Sequence, residues 1–188
     1  QAMNAFSAKA AGGIVLNVHT GEVLALASLP DYEPNLRSLG SGDSLRNRMT
    51  QDVYELGSIF KIFAFAEAVE EKTVRLDEDI NVGTPLKFGR FQINDFEHLG
   101  PYITASTVFA ESSNIGTAKI SMRSGPAKQK PYLERLGLLD PVNTELPEVA
   151  SPLYPRNWRE VEGVTISYGQ GISVNPLGFA AAAAAIVN

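Results

Sequence analysis

Tyr54–Glu70 reads YELGSIFKIFAFAEAVE, and the fold class turns on this stretch. From Ser58 to Ala66 the side chains are almost all apolar, the pattern of a helix buried on most sides, yet Lys61 sits one turn inside its start. Ser58 and Lys61 share a helix face, and a helical lysine is directed back over the preceding turn, so the amine reaches the hydroxyl. A plain N-cap is the structural alternative for Ser58. A capping box, however, carries Glu or Gln at the third position, whereas Lys there sets positive charge against the positive end of the helix dipole. Ile59, Phe60, Ile62 and Phe63 desolvate the amine and act in the same direction as the dipole, lowering its pKa. A neutral amine beside a hydroxyl is a general base beside a nucleophile.

The 188 residues are 44% hydrophobic, enough for one domain with a real core. A net charge of -5 and a pI near 5.1 argue against a nucleic-acid surface, and the only basic cluster, Lys128 and Lys130 in PAKQKP, reads as a solvated loop. Cysteine is absent, which removes disulfide and thiol chemistry. His19 and His98 are far apart, and the acidic run Asp77, Glu78, Asp79 lacks calcium-ligand spacing and reads as an exposed turn. No metal and no cofactor is expected. The longest apolar stretch, Leu177–Val187, is shorter than the roughly 20 residues that span a bilayer. The chain opens on Gln1 rather than Met and ends on Asn188 directly after a helical pattern, so both ends are expected to be cuts from something longer.

Residues 1–10 fit the tail of a helix, after which GIVLNV, HTG and EVLALAS read as two strands joined by a tight turn. Both strands are apolar on both faces, as in a covered sheet, and two strands alone leave edges open, so partner strands are expected elsewhere. A long ordered loop is expected over 31–57, where PDYEPN and GSGDS are turn-rich. After the Ser58 helix, PLKFGRFQI reads as a hairpin turning at Gly89. Helical patterns lie before Ser112, after Asn114, and from about Ala127 to Leu136 with Gly137 as C-cap. The proline-rich segment from Pro141 to Trp158 is expected to lie flat on the surface. Asn175 and Pro176 form the N-cap and first turn of an Ala-rich helix to the chain end. The class is α+β without internal repeats.

Ser112, Ser113 and Asn114 stand at a junction between helices, where such side chains ordinarily satisfy loose backbone groups. Downstream of Ser58-x-x-Lys61, though, Ser112-x-Asn114 makes the second part of a serine acyl-transfer signature. On these residues the chain resembles the transpeptidase domain of class B penicillin-binding proteins, most closely the cell-division type. GGIVLNVHTGEVLALASLPDYEPN is similar to the family's opening hairpin and loop, YELGSIFKIFAFAEAVE to its nucleophile helix, AESSNIGTAKI to its second motif, and ISYGQGISVNPLGFAAAAAAIVN to the segment leading toward its third.

The resemblance implies a penicillin-binding protein and serine β-lactamase-like α+β fold, here a truncated domain over 1–188 with an incomplete antiparallel sheet and a mostly helical part. It divides as 1–30 (helix tail and hairpin), 31–57 (loop), 58–174 (helical part with both motifs) and 175–188 (Ala-rich helix). Implied roles are nucleophile for Ser58, base for Lys61, proton relay for Ser112 and substrate-amide partner for Asn114. The implied ligands are peptidoglycan stem peptides and β-lactam antibiotics, the implied partners divisome proteins, and the implied location the outer face of the cytoplasmic membrane. One oxyanion donor would be the Ser58 backbone N–H.

Leu56 and Ile59 depart from the family's usual Pro and Thr without touching the chemistry. The third motif, Lys-Thr-Gly or Lys-Ser-Gly, does not occur, so these residues alone are expected to be catalytically impaired. His19-Thr20-Gly21 imitates that motif but reads as a hairpin turn, and Arg123-Ser124-Gly125 as a helix end. Gly169 and Gly171 read as a tight turn only, and Trp158 as a packing residue. A serine β-lactamase or β-lactam sensor is the alternative enzyme. A non-catalytic interaction module, self-associating through an exposed sheet edge, is the alternative outside enzymology.

Overall fold

The computed structural model describes residues 1–35, 42, 44–89 and 91–188. Along them run α1 (Ala2–Ala5), β1 (Ala11–Leu16), β2 (Val23–Leu29), α2 (Arg48–Gln51), a 3₁₀ turn (Gly57–Phe60), α3 (Lys61–Glu70), β3 (Asp79–Asn81), β4 (Leu86–Phe88), β5 (Phe91–Ile93), β6 (Tyr102–Thr104), α4 (Ala105–Ala110), α5 (Asn114–Ser124), α6 (Pro126–Arg135), α7 (Glu160–Ser167) and α8 (Pro176–Val187). The elements fall into two units, one of residues 1–54, 137–153 and 174–188, the other of 55–136 and 154–173. The expected loop over 31–57 is interrupted by α2, and its positions 36–41 and 43 lie outside the described residues.

In the first unit β1 and β2 pair antiparallel from Ala11↔Leu29 to Leu16↔Val23, and His19-Thr20-Gly21 lies in the turn between them, as expected. Helices α2 and α8 pack against the hairpin. Gly12 permits this approach, because a Cβ there would stand 2.0 Å from Met49 Cε. Asn175 caps α8 by accepting from the Gly178 N–H at 2.6 Å, the cap read from Asn-Pro. The hairpin is less covered than its apolar sequence implies: Val15 is 57% and Leu24 59% exposed. Among the described residues each sheet has two strands.

The second unit holds a core cluster in which Phe65 and Ala68 of α3, Val108 of α4, Ile115, Ala118 and Ile120 of α5, and Val164 of α7 are buried together. Helix α3 packs on α5, and α5 on α7. Gly116 brings α5 onto α4 so closely that a Cβ would meet Val108 Cγ1 at 2.5 Å. The β4–β5 hairpin forms around Gly89, at φ +60, with Leu86 opposite Ile93. Helix α7 and the β3–β6 pair are additions that the sequence pattern did not announce. Three-residue strands are too short to show alternation, and EVEGVTIS mixes β-branched residues with a glycine.

Trp158 serves packing, as expected: its Nε1 donates to Gln129 Oε1 at 2.9 Å, while Gln129 Nε2 donates to the Gly163 carbonyl of α7 at 2.9 Å. Lys128 and Lys130 lie on helix α6 rather than in a loop, and they are paired: Lys128 with Glu71 and Lys130 with Glu134. Asp77 and Glu78 are paired with Arg75 and Arg123.

Candidate active site

The stretch from Ser58 does not begin as the single α-helix its pattern predicts. Gly57–Phe60 is a 3₁₀ turn without a side-chain cap, and α3 starts at Lys61 itself. The tighter turn keeps Ser58 exposed while Lys61 is 1% exposed. Phe60 and Phe63 pack edge to face at 4.9 Å in the same helix start and are themselves buried. The capping alternative for Ser58 therefore fails, since its hydroxyl caps nothing.

Lys61 Nζ lies 3.2 Å from Ser58 Oγ, 2.8 Å from Ser112 Oγ, and within hydrogen-bond reach of the Ser112 backbone carbonyl. Three acceptors match the three N–H bonds of an ammonium; a neutral amine keeps two donors and turns its lone pair on one hydroxyl. Burial pushes the amine down from its usual 10.5 to about 8, with the Asp95 carboxylate opposing. The neutral fraction near pH 7 is thus roughly 300-fold larger than for a solvated lysine, because each pKa unit is a factor of ten. Desolvation is the cause inferred from the apolar neighbours; the opposing charge was not foreseen.

Ser112 is delivered by an unusual backbone. Its φ is +57, the left-handed region that non-glycine residues seldom occupy, at a cost of about 1–3 kcal/mol. Two features on either side hold it there. The Ser113 N–H donates to the Val108 carbonyl at 2.9 Å, and Ser113 caps α5 by accepting from the Gly116 N–H at 2.9 Å. Asp95 completes the junction: its Oδ1 accepts from the Ile115 N–H at 2.9 Å and its Oδ2 from Ser113 Oγ at 2.7 Å. A carboxylate at a helix N-terminus meets both the free amides and the dipole, and such charge-assisted bonds are the strong kind. Asp95 has no motif around it, so only the folded chain exposes this role.

Asn114 opens α5 and donates its Nδ2 to the Asn94 carbonyl at 3.3 Å. It shares with Ser58, Ser112, Asp95, Phe96 and Glu111 the lining of a cleft of about 540 Å³, within the range of small-molecule sites. Phe96 is fully exposed at this cleft. The structure therefore brings Ser58, Lys61 and Ser112 into one hydrogen-bonded cluster and sets Asn114 beside it.

The loop after α7 also belongs to the site, although Gly169 and Gly171 read in sequence as a turn alone. The Gly57 N–H donates to the Gly169 carbonyl at 3.2 Å, and the Gly171 N–H to Glu55 Oε1 at 2.9 Å. The arrangement can do one kind of chemistry well. A hydroxyl in an open cleft, hydrogen-bonded to a desolvated amine that is itself bonded to a second hydroxyl, can attack a carbonyl carbon and pass protons along the cluster.

Comparison with known proteins points the same way. The family description Penicillin binding protein transpeptidase domain matches residues 11–188. The chain is 37% identical over 188 residues to a protein named probable peptidoglycan D,D-transpeptidase FtsI of Caulobacter vibrioides, covering all of this chain and 32% of that protein. It is 32% identical over 172 residues to peptidoglycan D,D-transpeptidase FtsI of Escherichia coli, covering 90% of this chain and 29% of that protein. The chain thus spans about a third of the length of these relatives. The apo transpeptidase domain of Burkholderia pseudomallei penicillin-binding protein 3 superposes with a TM-score of 0.85 at 33% identity, over 98% of this chain and 52% of that one.

Proposed function

This chain belongs to the penicillin-binding protein transpeptidase domain family, and from that premise we propose that it is the nucleophile-bearing part of a serine D,D-transpeptidase that cross-links peptidoglycan stem peptides during septal wall synthesis. One observation carries the reading. A lysine 1% exposed stands 3.2 Å from one serine hydroxyl and 2.8 Å from another in an open cleft.

In the proposed reaction Lys61, neutral, takes the proton of Ser58 as Oγ attacks the carbonyl carbon between the two terminal D-alanines. The bond to the leaving nitrogen breaks. The proton held on Lys61 passes through Ser112 Oγ to that nitrogen, which departs as free D-alanine. The Ser58 ester then remains until an amine of a neighbouring stem attacks the same carbon, loses its proton back along the cluster, and releases Ser58. Asn114 hydrogen-bonds the substrate amide, and the Ser58 N–H is one donor to the oxyanion. A β-lactam follows the first half of this course and stays attached, because its leaving nitrogen remains tethered.

The protein acts on the outer face of the cytoplasmic membrane; among the described residues no helix is long and apolar enough to cross one. Divisome proteins are its proposed partners. Among the described residues the β1–β2 hairpin has no third strand, and its unpaired edges favour self-association, which size-exclusion chromatography over a concentration series detects.

Incubation of the full-length protein with a fluorescent penicillin tests the function. Stoichiometric labelling that is lost in Ser58→Ala, with the adduct mass on the peptide containing Ser58, is expected; equal labelling of Ser58→Ala refutes the assignment. Neither Lys-Thr-Gly nor Lys-Ser-Gly occurs in the 188 residues, and by themselves they are expected to label at least 100-fold more slowly, the scale of one lost oxyanion donor.

A further inference from the structure

We propose that Glu55 is a positioning residue for this reaction, acting with Gly169 and Gly171 as a clasp that holds the turn bearing Ser58 in its reactive geometry. The inference rests on the transpeptidase reading above and goes beyond its motifs, which begin at Ser58.

The turn that carries the nucleophile needs holding. Gly57, immediately before Ser58, is at φ +60, and the 3₁₀ turn that it opens has no side-chain cap. Short 3₁₀ segments have poorer hydrogen-bond geometry than α-helix and take their shape from what is packed on them. Here two hydrogen bonds run in opposite directions between 55–57 and 169–171. The Gly57 N–H donates to the Gly169 carbonyl at 3.2 Å, and the Gly171 N–H donates to the Glu55 carboxylate at 2.9 Å.

Between these bonds the two backbones touch. A Cβ on Gly169 would lie 2.1 Å from the Gly57 carbonyl oxygen and 2.8 Å from Gly57 Cα, and Gly169 is at φ +78. No other residue fits that contact. The far side of the clasp is rigid. The Gly169 N–H donates to the Ile166 carbonyl at 2.9 Å and the Gln170 N–H to Thr165 at 3.0 Å, which ties the loop to the end of α7, and Tyr168 is buried in the core. Helix α7 packs on α5, the helix that follows Ser112. The clasp therefore references the Ser58 turn to the same helices that position the second hydroxyl. Glu55 is the one side chain in it, and it touches none of the reacting atoms.

A misplacement of about 1 Å can cost 100-fold in rate, so loosening the clasp shows in the covalent step. The experiment compares the full-length protein with Glu55→Ala, Glu55→Gln and Gly169→Ala. Acylation by a fluorescent penicillin over a concentration series separates the rate constant for covalent attachment from the dissociation constant of the non-covalent complex, and the thermal midpoint is read alongside. Glu55→Ala is expected to lower the attachment rate constant about 10- to 100-fold, with the dissociation constant and midpoint little changed. Glu55→Gln keeps an oxygen acceptor for the Gly171 N–H and restores most of the rate. Gly169→Ala is expected to lose at least as much rate as Glu55→Ala; should it fail to fold, the two Glu55 variants decide.

Wild-type acylation in Glu55→Ala overturns the proposal. So does a loss that Gln does not restore and that follows a fall in thermal midpoint, since that outcome describes a fold defect. If the unaltered protein is not labelled on Ser58 at all, the transpeptidase reading falls and takes the clasp's role with it, an outcome distinct from labelling that is indifferent to Glu55.

Discussion

Helix α3 and the β1–β2 hairpin have comparably apolar sequences and opposite surroundings. In α3, Phe63, Phe65 and Ala68 are buried, and so are two of its three charged residues, Lys61 and Glu67, at 1% and 2% exposed. In the hairpin Val15, Val23, Leu24 and Leu29 stand 39–59% exposed. A helix flanked by α4, α5, α6 and α7 is covered around most of its circumference, whereas a two-stranded ribbon covered by helices on one side leaves its other side open. The difference teaches where charge acquires unusual properties. The two displaced pKa values that matter here, those of Lys61 and Glu67, both belong to α3.

The largest expected effect comes from removing the amine that the helix desolvates. Lys61→Met keeps the apolar stem and fills the same space, and acylation should fall by about 10²–10⁴-fold, the worth of a positioned general base. The sign of the stability change is the opposite. Lys61 titrates lower in the folded chain, so between about 8 and 10.5 the unfolded state binds the extra proton and stability rises with pH; below about 8 the full penalty is present. The Met variant should therefore melt no lower than the parent at pH 7, while the parent's acylation rate climbs with pH toward a plateau above about 8. A sharp loss of thermal stability in Lys61→Met would break the contrast drawn above.

Glu67 sharpens it. Burial pushes its carboxyl up to about 7, against a hydrogen bond from Ser124, and Oε1 has no hydrogen-bond partner. Its folded pKa lies above the ordinary 4.5, so the folded state binds the extra proton between about 4.5 and 7. Stability attributable to this group is greatest below 4.5 and declines as pH rises to about 7, by about 3 kcal/mol in full. Glu67→Gln, which is neutral at every pH, should raise the melting temperature at pH 8 and change it little at pH 4.5. Scanning calorimetry at the two pH values measures this, and an equal shift at both would mean that the carboxyl is not titrating in the fold.

At the exposed end of the comparison, Leu24→Ser in β2 is expected to change stability by less than about 0.5 kcal/mol in this chain, as for surface positions generally. Chemical denaturation reads it directly. A loss of several kcal/mol would show that Leu24 is covered in solution.

Much of the site was readable because its chemistry is local. Ser58 and Lys61 are neighbours through their three-residue spacing, which a 3₁₀ turn brings to one face as a helix would, and the apolar residues between and after them announce the desolvation that brings the amine to about 8. The hairpin at Gly89 and the Asn175 cap are likewise encoded within a few residues. Asp95, Glu55 and Gly169 were not readable. Each acts on a partner distant in sequence, and an isolated acid or glycine carries no pattern that says which amide it will meet.

The sequence by itself determined the pairing of hydroxyl with amine, the second hydroxyl motif and the mixed helix-and-strand class, since all of these follow from short-range spacing and residue type. Only the tertiary structure decided that α3 begins in a 3₁₀ turn with Ser58 free of capping, that Asp95 holds Ser113 and Ile115, and that Gly169 lies against Gly57. Such contacts depend on loops whose closure is fixed by the packing of α5 and α7, and packing is a property of the whole unit rather than of any window along the chain.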